Sequence, residues 1–375
     1  MKIGLDIRMY GVQNGGIGRY AEQVFSRILE LDKTNEFFLF YNPKNILQDQ
    51  LESLKQHSNA TLVSAPFRHY SIGEQAGFLK KLNGFNLDLV HFPNFNVPLF
   101  YKKRFIVTIH DMVHHKISGH KKSRYLKFLA YKKIIESAAR RAQKIVTVSE
   151  SSKKDIVKYL QVPAEKIKVI YEGLSLKTEV ADFAVKEIKQ RYLITKPYFL
   201  FVGVLERKKN IINLTRGFDW FLQKYRLQMD LVIVGKPDSH YPEIKHRALD
   251  IKHSASVIFT GEVGDDELRA LYKGAYAFAT ASLHEGFGLP GVEALSFGLP
   301  LLASNLEVFN EIYDNAAIYF NPLDPVDIGE KMNLLARDSA FHEQLQRKSY
   351  ERSLLFDWEK TAQETLEVYN QFRLR

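Results

Sequence analysis

The chain has 375 residues, 45% hydrophobic and 26% charged, which is the composition of an ordinary globular protein and the length of about two domains. It contains no cysteine, which excludes disulfides and thiolate metal sites. The start, MKIGLDIRMYG, lacks the apolar stretch of a signal peptide, and no apolar run reaches membrane-spanning length. We therefore expect a cytoplasmic protein.

The net charge of +10 is distributed unevenly along the chain. Residues 1–175 contain 28 Lys and Arg against 15 Asp and Glu, whereas residues 176–375 contain 25 against 28. The basic half indicates an anionic partner, which could be a phosphorylated substrate, an anionic membrane surface or nucleic acid. A well-solvated basic surface without such a partner is the alternative.

Short apolar runs alternate with segments of helical period in both halves. In the first half we predict strands at KIGLDI, FFLFY, ATLVSA, LDLVHF, FIVTIHD and KIVTVSE, and helices at GRYAEQVFSRILEL and RYLKFLAYKKIIESAARRA. A polar stretch, residues 173–196, interrupts this order and predicts a domain boundary near 175–195. Strands then follow at YFLFVGV, DLVIVG, SVIFTGE, YAFATAS, PLLAS and AIYF, with helices at IINLTRGFDWFLQKY and DDELRALYKGA. The pattern predicts an α/β protein with two doubly wound parallel sheets, whose ligands bind beyond the carboxyl ends of the strands.

Gly15 and Gly16 begin the segment GGIGRYA after the first predicted strand. The segment contains the G-x-G-x-x-A pattern of a dinucleotide-binding loop, but eight residues separate it from the strand. Asn42 also stands where such a site would have an acid for the ribose. A glycine loop whose backbone N–H groups bind a phosphate is the better functional interpretation, and a plain strand-to-helix turn is the alternative.

His110 and Asp111 end the apolar strand FIVTIHD. Two polar residues in a buried strand are costly without partners, and at its carboxyl end they lie where a doubly wound sheet binds ligands. This position favours a functional role. His91 ends the preceding strand, and for it a structural role is favoured.

Lys208 and Lys209 lie with Arg207 in the turn VGVLERKKN, where a helix follows the first strand of the second half. Cationic side chains beside the free N–H groups of a helix start suit a diphosphate. A solvated run of charges is the alternative interpretation.

Glu285 and Glu293 lie eight positions apart in HEGFGLPGVEA, the first in a loop and the second in a short predicted helix. Carboxylates accept hydrogen bonds, and sugar hydroxyls donate them in pairs. One carboxylate could hold a hexose and the other a ribose, while the N–H groups of Phe287, Gly288 and Leu289 meet a phosphate between them.

HEGFGLPGVEA resembles the E-x7-E motif of retaining glycosyltransferases of the GT-B fold, family 4, a group with many bacterial mannosyl- and glucosyltransferases. GGIGRY, VTIHDM, VTVSESSKKDI, FVGVLERKKN, VIFTGEV and DWEKTAQETLEVY resemble the corresponding blocks in the same order. The resemblance implies two Rossmann-like domains that face each other across a cleft. It assigns residues 1–175 to the acceptor side and 176–356 to the nucleotide-sugar donor, with a last helix, 357–375, that returns to the first domain.

The resemblance also implies roles for single residues. Glu285 would contact the donor sugar near the reaction centre, Glu293 the ribose and Lys209 the diphosphate, while His110 would lie beside the hexose and Gly16 under the phosphates. We group Asp111 with His110 and Glu285 as the catalytic set.

One position departs from the family pattern. Many members have an arginine soon after the glycine of the strand YFLFVG, and this chain has Val204 there. Lys208 or Arg207 is then expected to supply the second cation for the diphosphate.

The chain lacks a D-x-D triplet of the kind that holds a metal under a nucleotide diphosphate. We therefore expect no metal and no other cofactor, with the leaving group stabilised by Lys209, backbone donors and a helix dipole. The resemblance implies retention by front-face attack, in which the donor phosphate accepts the proton of the acceptor.

The expected reaction is hexose transfer, with mannose from GDP-mannose favoured and a UDP-sugar as the alternative. The expected acceptor is a glycan or lipid-linked sugar in surface polysaccharide synthesis. The basic stretch 101–144 interleaves cations with apolar residues, which fits either core packing or peripheral contact with the anionic inner face of a membrane. The apolar residues are Tyr125, Leu126, Phe128, Leu129, Ile134 and Ile135.

Two other classes of protein remain as alternatives: a dinucleotide-dependent oxidoreductase and a basic nucleic-acid-binding protein. Neither explains why Glu285 and Glu293 occur together, so we expect no nucleic-acid partner.

Overall fold

The computed structural model describes residues 1–112, 122–174 and 178–373, with the side chains of 122–127 left aside. The chain divides into two compact units. Met1–Gly173 and Asp357–Arg375 form the first unit, and Leu174–Phe356 forms the second. The assignment of an acceptor side and a donor side to these units stays a prediction.

The first unit contains a parallel sheet of seven strands in the order β3-β2-β1-β4-β5-β6-β7. The strands are β1 Lys2–Asp6, β2 Glu36–Tyr41, β3 Ala60–Ser64, β4 Leu89–Phe92, β5 Phe105–Thr108, β6 Lys144–Thr147 and β7 Ile167–Val169. The helices between them are α1 Gly15–Leu31, α2 Gln48–Lys55, α3 Leu79–Asn83, α4 Lys122–Arg141 and α5 Glu150–Leu160.

The second unit contains a parallel sheet of six strands in the order β10-β9-β8-β11-β12-β13. The strands are β8 Tyr198–Val202, β9 Asp230–Val234, β10 Val257–Gly261, β11 Ala277–Thr280, β12 Leu301–Ser304 and β13 Ala317–Phe320. Its helices are α6 Asp182–Arg191, α7 Ile211–Tyr225, α8 Glu243–Ala248, α9 Asp265–Gly274, α10 Leu289–Ser296, α11 Glu307–Tyr313, α12 Pro325–Arg337 and α13 Ser339–Ser353.

Both sheets are doubly wound, as predicted. The strand order reverses beside β1 in the first sheet and beside β8 in the second. Such a reversal opens a crevice at the carboxyl ends of the strands, because the chain leaves the two neighbouring strands toward opposite faces. The loops that follow β8 and β11, where the predicted donor residues lie, adjoin this point of the second sheet.

All twelve predicted strands form, and α7 has the predicted bounds, Ile211–Tyr225. The apolar strands are buried on both faces, as in β9, where all five residues are buried. The one strand that the sequence analysis missed is β7, because Lys168 interrupts its two apolar residues. It lies at the edge of the sheet, where less burial is needed.

The last helix, α14 Trp358–Asn370, belongs to the first unit and packs against α1. Its buried residues include Trp358, Val368 and Tyr369. Leu366, Val368, Tyr369 and Phe372 recur at helical spacing and predict one buried face, but Leu366 and Phe372 are only partly buried. The hydroxyl of Tyr369 lies 2.5 Å from Nδ1 of His91, so the helix is hydrogen-bonded to β4.

His91 has the structural role that its sequence position favoured. The side chain is fully buried, and its Nε2 lies 2.8 Å from the hydroxyl of Thr108. Burial lowers the pKa of His91 to about 3, so the ring is neutral at physiological pH.

The apolar face of α4 lies in the core of the first unit. Ile135 is fully buried, and Phe128 and Ile134 pack against the same core, whereas Leu129 is 43% exposed. The side chains of Tyr125 and Leu126 lie outside the described residues. Within the described parts of the chain, no helix is both long and apolar enough to cross a membrane.

Candidate active site

Lys209 and Glu285 form a partly buried ion pair at the carboxyl edge of the second sheet. The Lys209 Nζ lies 2.5 Å from Glu285 Oε1, and the two side chains are 14% and 12% exposed. The hydroxyl of Ser282 donates to the same oxygen at 2.9 Å. The loops after β8 and β11 are joined by the backbone, because the N–H of Leu283 donates to the carbonyl of Lys208 at 2.7 Å.

Two opposing effects act on the pKa of Glu285. Burial raises it, but the charges of Lys209 and Lys208 and the hydrogen bonds from Lys209 and Ser282 outweigh burial and lower it. The carboxylate is therefore ionised at neutral pH. The stability that it contributes is present above its ordinary pKa of 4.5 and is lost as the pH falls through the lowered value.

Lys208 and Arg207 occupy different surroundings. Lys208 pairs with Glu206 at 3.3 Å and is 22% exposed, close enough to Glu285 to act on its pKa. Arg207 is 70% exposed and points to Glu243 and to the ring of Tyr241. Of the two candidates for a second cation, Lys208 is the one beside the Lys209–Glu285 pair.

The start of α10, Leu289, lies four residues beyond Glu285. Gly288 caps the helix with a φ of 97°, and a Cβ there would lie 2.3 Å from the hydroxyl of Tyr313, which donates to the Gly288 carbonyl. Only glycine fits this position. Phe287 is 3% exposed and its ring faces Phe356 edge-on. Within α10, Pro290 has no N–H, and the N–H of Gly291 donates to the Gly288 carbonyl at 2.9 Å. Phosphate binding by the N–H groups of Phe287, Gly288 and Leu289 stays a prediction.

Glu293 lies inside α10 and is 2% exposed. Its Oε2 accepts a hydrogen bond from the hydroxyl of Tyr272 on α9 at 3.1 Å. The Tyr272 hydroxyl also lies 3.1 Å from the carbonyl of Pro290, and its ring stacks on Phe297. The two glutamates thus have separate hydrogen-bond partners within the protein.

His110 follows β5 in the first unit and is hydrogen-bonded through both ring nitrogens. Nε2 lies 3.0 Å from the carbonyl of Pro93, and Nδ1 lies 3.2 Å from Oε1 of Glu172. A carbonyl and a carboxylate only accept, so these partners assign a proton to each nitrogen. Tyr20 packs edge-on against the ring at 4.8 Å.

The charge of His110 follows from this geometry. Burial lowers its pKa, but the hydrogen bond and charge of Glu172, with smaller contributions from Pro93 and Asp111, raise it above the ordinary 6.5. Asp111 is the next residue and is half-buried. His110 is thus held as an imidazolium beside one exposed edge of the sheet, where it can donate a hydrogen bond only if a ligand displaces one of its partners.

The glycine segment differs from its prediction. We expected a loop before the helix, but α1 begins at Gly15 itself. Gly15 also ends the preceding turn, Val12–Asn14, and has a φ of 72°. A Cβ on Gly15 or Gly16 would meet no atom within 4 Å, so both face open space. A Cβ on Gly18 would lie 2.1 Å from the Gly11 carbonyl, so this glycine is required by packing.

Glu172, Tyr272 and Ser282 were not identified from the sequence. Glu172 follows β7, and its position after a strand would have marked it if that strand had been predicted. Tyr272 occupies the apolar face of α9 like an ordinary core residue. Within the described residues, no group of three or more His, Asp and Glu could hold a metal ion. The roles of all the candidate site residues in binding and catalysis stay predictions.

Replacing Glu172 with glutamine is expected to remove the charge that keeps His110 protonated. The native pair stabilises the fold fully below pH 6.5, and this contribution is lost as the pH rises through the raised pKa of His110. At pH 6 the variant should lose about 1.5–3 kcal/mol of unfolding free energy, and the loss should shrink by pH 9. Urea unfolding at both pH values measures this, with the exposed Glu165→Gln as control. A loss independent of pH would contradict the assignment of an imidazolium.

Comparison with known proteins identifies the class. Residues 14–178 match the family described as Glycosyltransferase Family 4, and residues 184–352 match Glycosyl transferases group 1. The chain therefore belongs to the family 4, group 1 glycosyltransferases. Its fold is GT-B, and it superposes on the Anabaena protein Alr3699/HepE, solved with UDP and glucose, with a TM-score of 0.76, 16% identity and coverage of 99% of this chain and 100% of that one.

Curated relatives include mannosyltransferases. The serotype-specific mannosyltransferase WbdA of Escherichia coli is 29% identical over 237 residues, which is 61% of this chain but 29% of that protein. This chain thus spans less than a third of the length of WbdA. The O-antigen chain mannosyltransferase B of Escherichia coli is 24% identical over 374 residues, covering 94% of this chain and 95% of that protein.

Proposed function

We propose that this chain transfers mannose from GDP-mannose to a glycan or lipid-linked acceptor of a surface polysaccharide, with retention of configuration. The observation that carries the proposal is the partly buried Lys209–Glu285 pair, which lies at the carboxyl edge of the second sheet beside the start of α10. Two mannosyltransferases among the relatives support the choice of sugar.

The donor fits the charges of this site. Lys209 and Lys208 would hold the diphosphate together with the first N–H groups of α10, and Glu285 would accept hydrogen bonds from the hexose. The ion pair holds the charged groups of Lys209 and Glu285 in fixed positions before the donor binds. The donor would then insert between two groups that are already oriented. This preorganisation stabilises the leaving diphosphate without a metal ion.

Glu293 is assigned to the ribose of the donor, and Gly15 and Gly16 to the open face over which the phosphates pass. In the first unit, His110 is assigned as a cationic hydrogen-bond donor to the reacting sugar, with Asp111 beside it. In a front-face reaction the donor phosphate accepts the proton of the attacking hydroxyl, so none of these residues needs to act as a nucleophile.

A UDP-sugar is the second candidate donor. HepE, which shares the fold, was solved with UDP and glucose, and the residues proposed to bind the diphosphate and the ribose would serve a uridine nucleotide equally well. The base is then the part of the donor that distinguishes the candidates.

The basic charge of the first unit supports an anionic acceptor or an anionic membrane surface at the inner face of the membrane. Side chains of α4 such as Lys132 are half-exposed, while the apolar face of the helix is buried in the core. Peripheral contact would therefore be electrostatic, without insertion of the α4 apolar face.

A panel of nucleotide sugars, screened by thermal shift, tests the proposed donor. GDP-mannose should raise the melting temperature more than GDP alone and more than UDP-glucose or UDP-galactose at equal concentration. A larger increase of the melting temperature with a UDP-sugar would show that the donor is that UDP-sugar instead of GDP-mannose. No shift with any nucleotide or nucleotide sugar would contradict a donor site in this chain.

Glu293→Ala should weaken nucleotide-sugar affinity by about 1.5–3 kcal/mol, because it removes hydrogen bonds to a charged acceptor. Calorimetry with GDP-mannose measures the change. Glu343→Ala, an exposed glutamate on α13, is the matched control and should leave the affinity unchanged. Unchanged affinity in Glu293→Ala would exclude the ribose role.

Activity should survive EDTA, since the charge of the leaving diphosphate is assigned to Lys209, Lys208 and helix N–H groups. The release of GDP from GDP-mannose, measured before and after chelation, is the test. Complete loss that manganese or magnesium restores would overturn this assignment.

A further inference from the structure

A buried cluster of charges in the first unit takes no part in the proposed reaction. Arg8 follows β1 and is fully buried. Its Nη2 lies 2.7 Å from Oδ2 of Asp6 and 2.9 Å from Oε1 of Glu74. Its guanidinium also lies 3.8 Å from the ring centre of Phe78. Buried charges are costly to remove from water, and this arrangement satisfies them with close partners.

The cluster fixes the loop between β3 and α3. Glu74 accepts hydrogen bonds from the backbone N–H of Tyr70 at 2.9 Å and lies 3.0 Å from Nδ1 of His69. Arg8 donates to the carbonyl of Phe67 in the same loop at 3.3 Å. A loop that follows a strand of this sheet lies at its carboxyl edge, which is the edge of His110 and Asp111.

Tyr70 is an exposed residue that is held in a costly backbone conformation. Its φ is 60°, in the left-handed region that non-glycine residues avoid, and the residue is 62% exposed. Strain of this kind persists only where the surroundings fix it, and it is concentrated at functional sites. Packing in a core does not explain it, because more than half of the residue surface is exposed.

The ring of Tyr70 stands beside a buried loop that follows β4. Its centre lies 6.0 Å from that of Phe95, which in turn contacts Tyr131 edge-on at 5.1 Å. The negative charge of Asp111 contributes to raising the pKa of Tyr131, after the larger effect of burial, so this aromatic group adjoins Asp111.

Asn96 in the buried loop carries an amide without a partner. It is 1% exposed, its Oδ1 accepts from Asn94 Nδ2 at 2.6 Å, and its Nδ2 has no hydrogen-bond acceptor among the described residues. Burial raises the pKa of Tyr70 and the amides of Asn96 and Asn94 lower it, so the hydroxyl end of Tyr70 lies against this loop although the residue as a whole is 62% exposed. A buried donor without an acceptor is costly, and a ligand that supplies an acceptor would satisfy it.

We propose that Tyr70, Phe95 and Asn96 form a subsite for the terminal sugar of the acceptor, in which a neutral hexopyranose stacks on the open face of Tyr70 and accepts a hydrogen bond from Asn96. A sugar ring has an apolar C–H face and hydroxyls at its edge, so it needs an aromatic surface and a few fixed polar groups. The proposal rests on the proposed transferase function and adds to it the residues that would select the acceptor.

Replacing Tyr70 by glycine removes the ring without disturbing the backbone, because glycine adopts a φ of 60° without strain. With GDP-mannose as donor and α-mannobiose as acceptor probe, this variant should lower the ratio of transfer to donor hydrolysis by about tenfold. Tyr70→Phe keeps the ring and should restore most of that ratio. Asn96→Ala should lower the ratio as well, with some loss of thermal stability, since it also removes the acceptor of the buried Asn94 amide. Tyr350→Ala, an equally exposed tyrosine on α13, is the control and should leave the ratio unchanged.

The outcomes separate this subsite from the proposed function. If the wild type transfers mannose and Tyr70→Gly transfers it in the same ratio to hydrolysis, the subsite is wrong. If Tyr70→Gly instead loses binding to vesicles of anionic phospholipid while its transfer ratio is unchanged, the surface contacts lipid and the subsite is again wrong. If the wild type does not use nucleotide sugars, saturation-transfer NMR with α-mannobiose alone still tests the subsite. Saturation transfer from the wild type to α-mannobiose that is lost in Tyr70→Gly supports the subsite. Absence of saturation transfer from the wild type overturns it.

Discussion

Glu285→Gln should lower kcat for sugar transfer by about 100- to 1,000-fold while the protein still binds GDP. The substitution keeps the shape of the side chain and an acceptor for Ser282, but it removes the charge that faces Lys209 at 2.5 Å. Lys209 is then no longer neutralised, so the affinity for GDP should stay the same or increase. A parallel loss of turnover and of GDP binding would instead indicate local unfolding.

Glu262→Gln provides the matched control for this experiment. Glu262 follows β10, the edge strand of the same sheet, and pairs with Lys236 at 3.4 Å, but its side chain is 70% exposed. An exposed pair contributes little, so the control should have wild-type kcat and stability. If Glu285→Gln also retained kcat within about threefold, Glu285 would have no role near the reacting sugar.

Trp358→Ala should lower the free energy of unfolding by about 3–5 kcal/mol. Trp358 is 1% exposed at the start of α14, and the backbone of Gly173 packs against it so closely that a Cβ on Gly173 would lie 2.1 Å from the Trp358 nitrogen. The Trp358 ring lies 6.2 Å from that of Tyr20 on α1, so the truncation leaves a cavity between α14 and α1.

Urea unfolding measures this loss of stability, and Glu367→Ala on the exposed face of α14 is the control. A change of less than about 1 kcal/mol in Trp358→Ala would show that the last helix is not part of the core of the first unit.

The elements of this fold could largely be predicted from the sequence, because apolar runs of strand length alternate with segments of helical period. The bounds of α7 match their prediction, whereas β7 was missed because Lys168 breaks a run of only three residues. Periodicity identifies elements that are buried on at least one face, and it fails at a short edge strand.

The candidate site was predicted as residue types but not as contacts. Lys209 and Glu285 are 76 positions apart, and their pairing depends on the adjacency of β8 and β11, which periodicity does not specify. Glu172 was missed together with β7, although it determines the charge of His110. Tyr70 gave no signal because a left-handed φ at a tyrosine follows from the buried Arg8–Glu74 pair rather than from local sequence.

The release of GDP from GDP-mannose by the wild type and by Glu285→Gln, measured in the presence of EDTA, tests the central claim most directly. We predict release by the wild type, increased when α-mannobiose is added as acceptor, and about 100-fold or more slower release by Glu285→Gln. Equal release of GDP by the two proteins would contradict the claim that Lys209 and Glu285 form the donor site of a mannosyltransferase. A wild type that releases no nucleotide from any nucleotide sugar would contradict it as well.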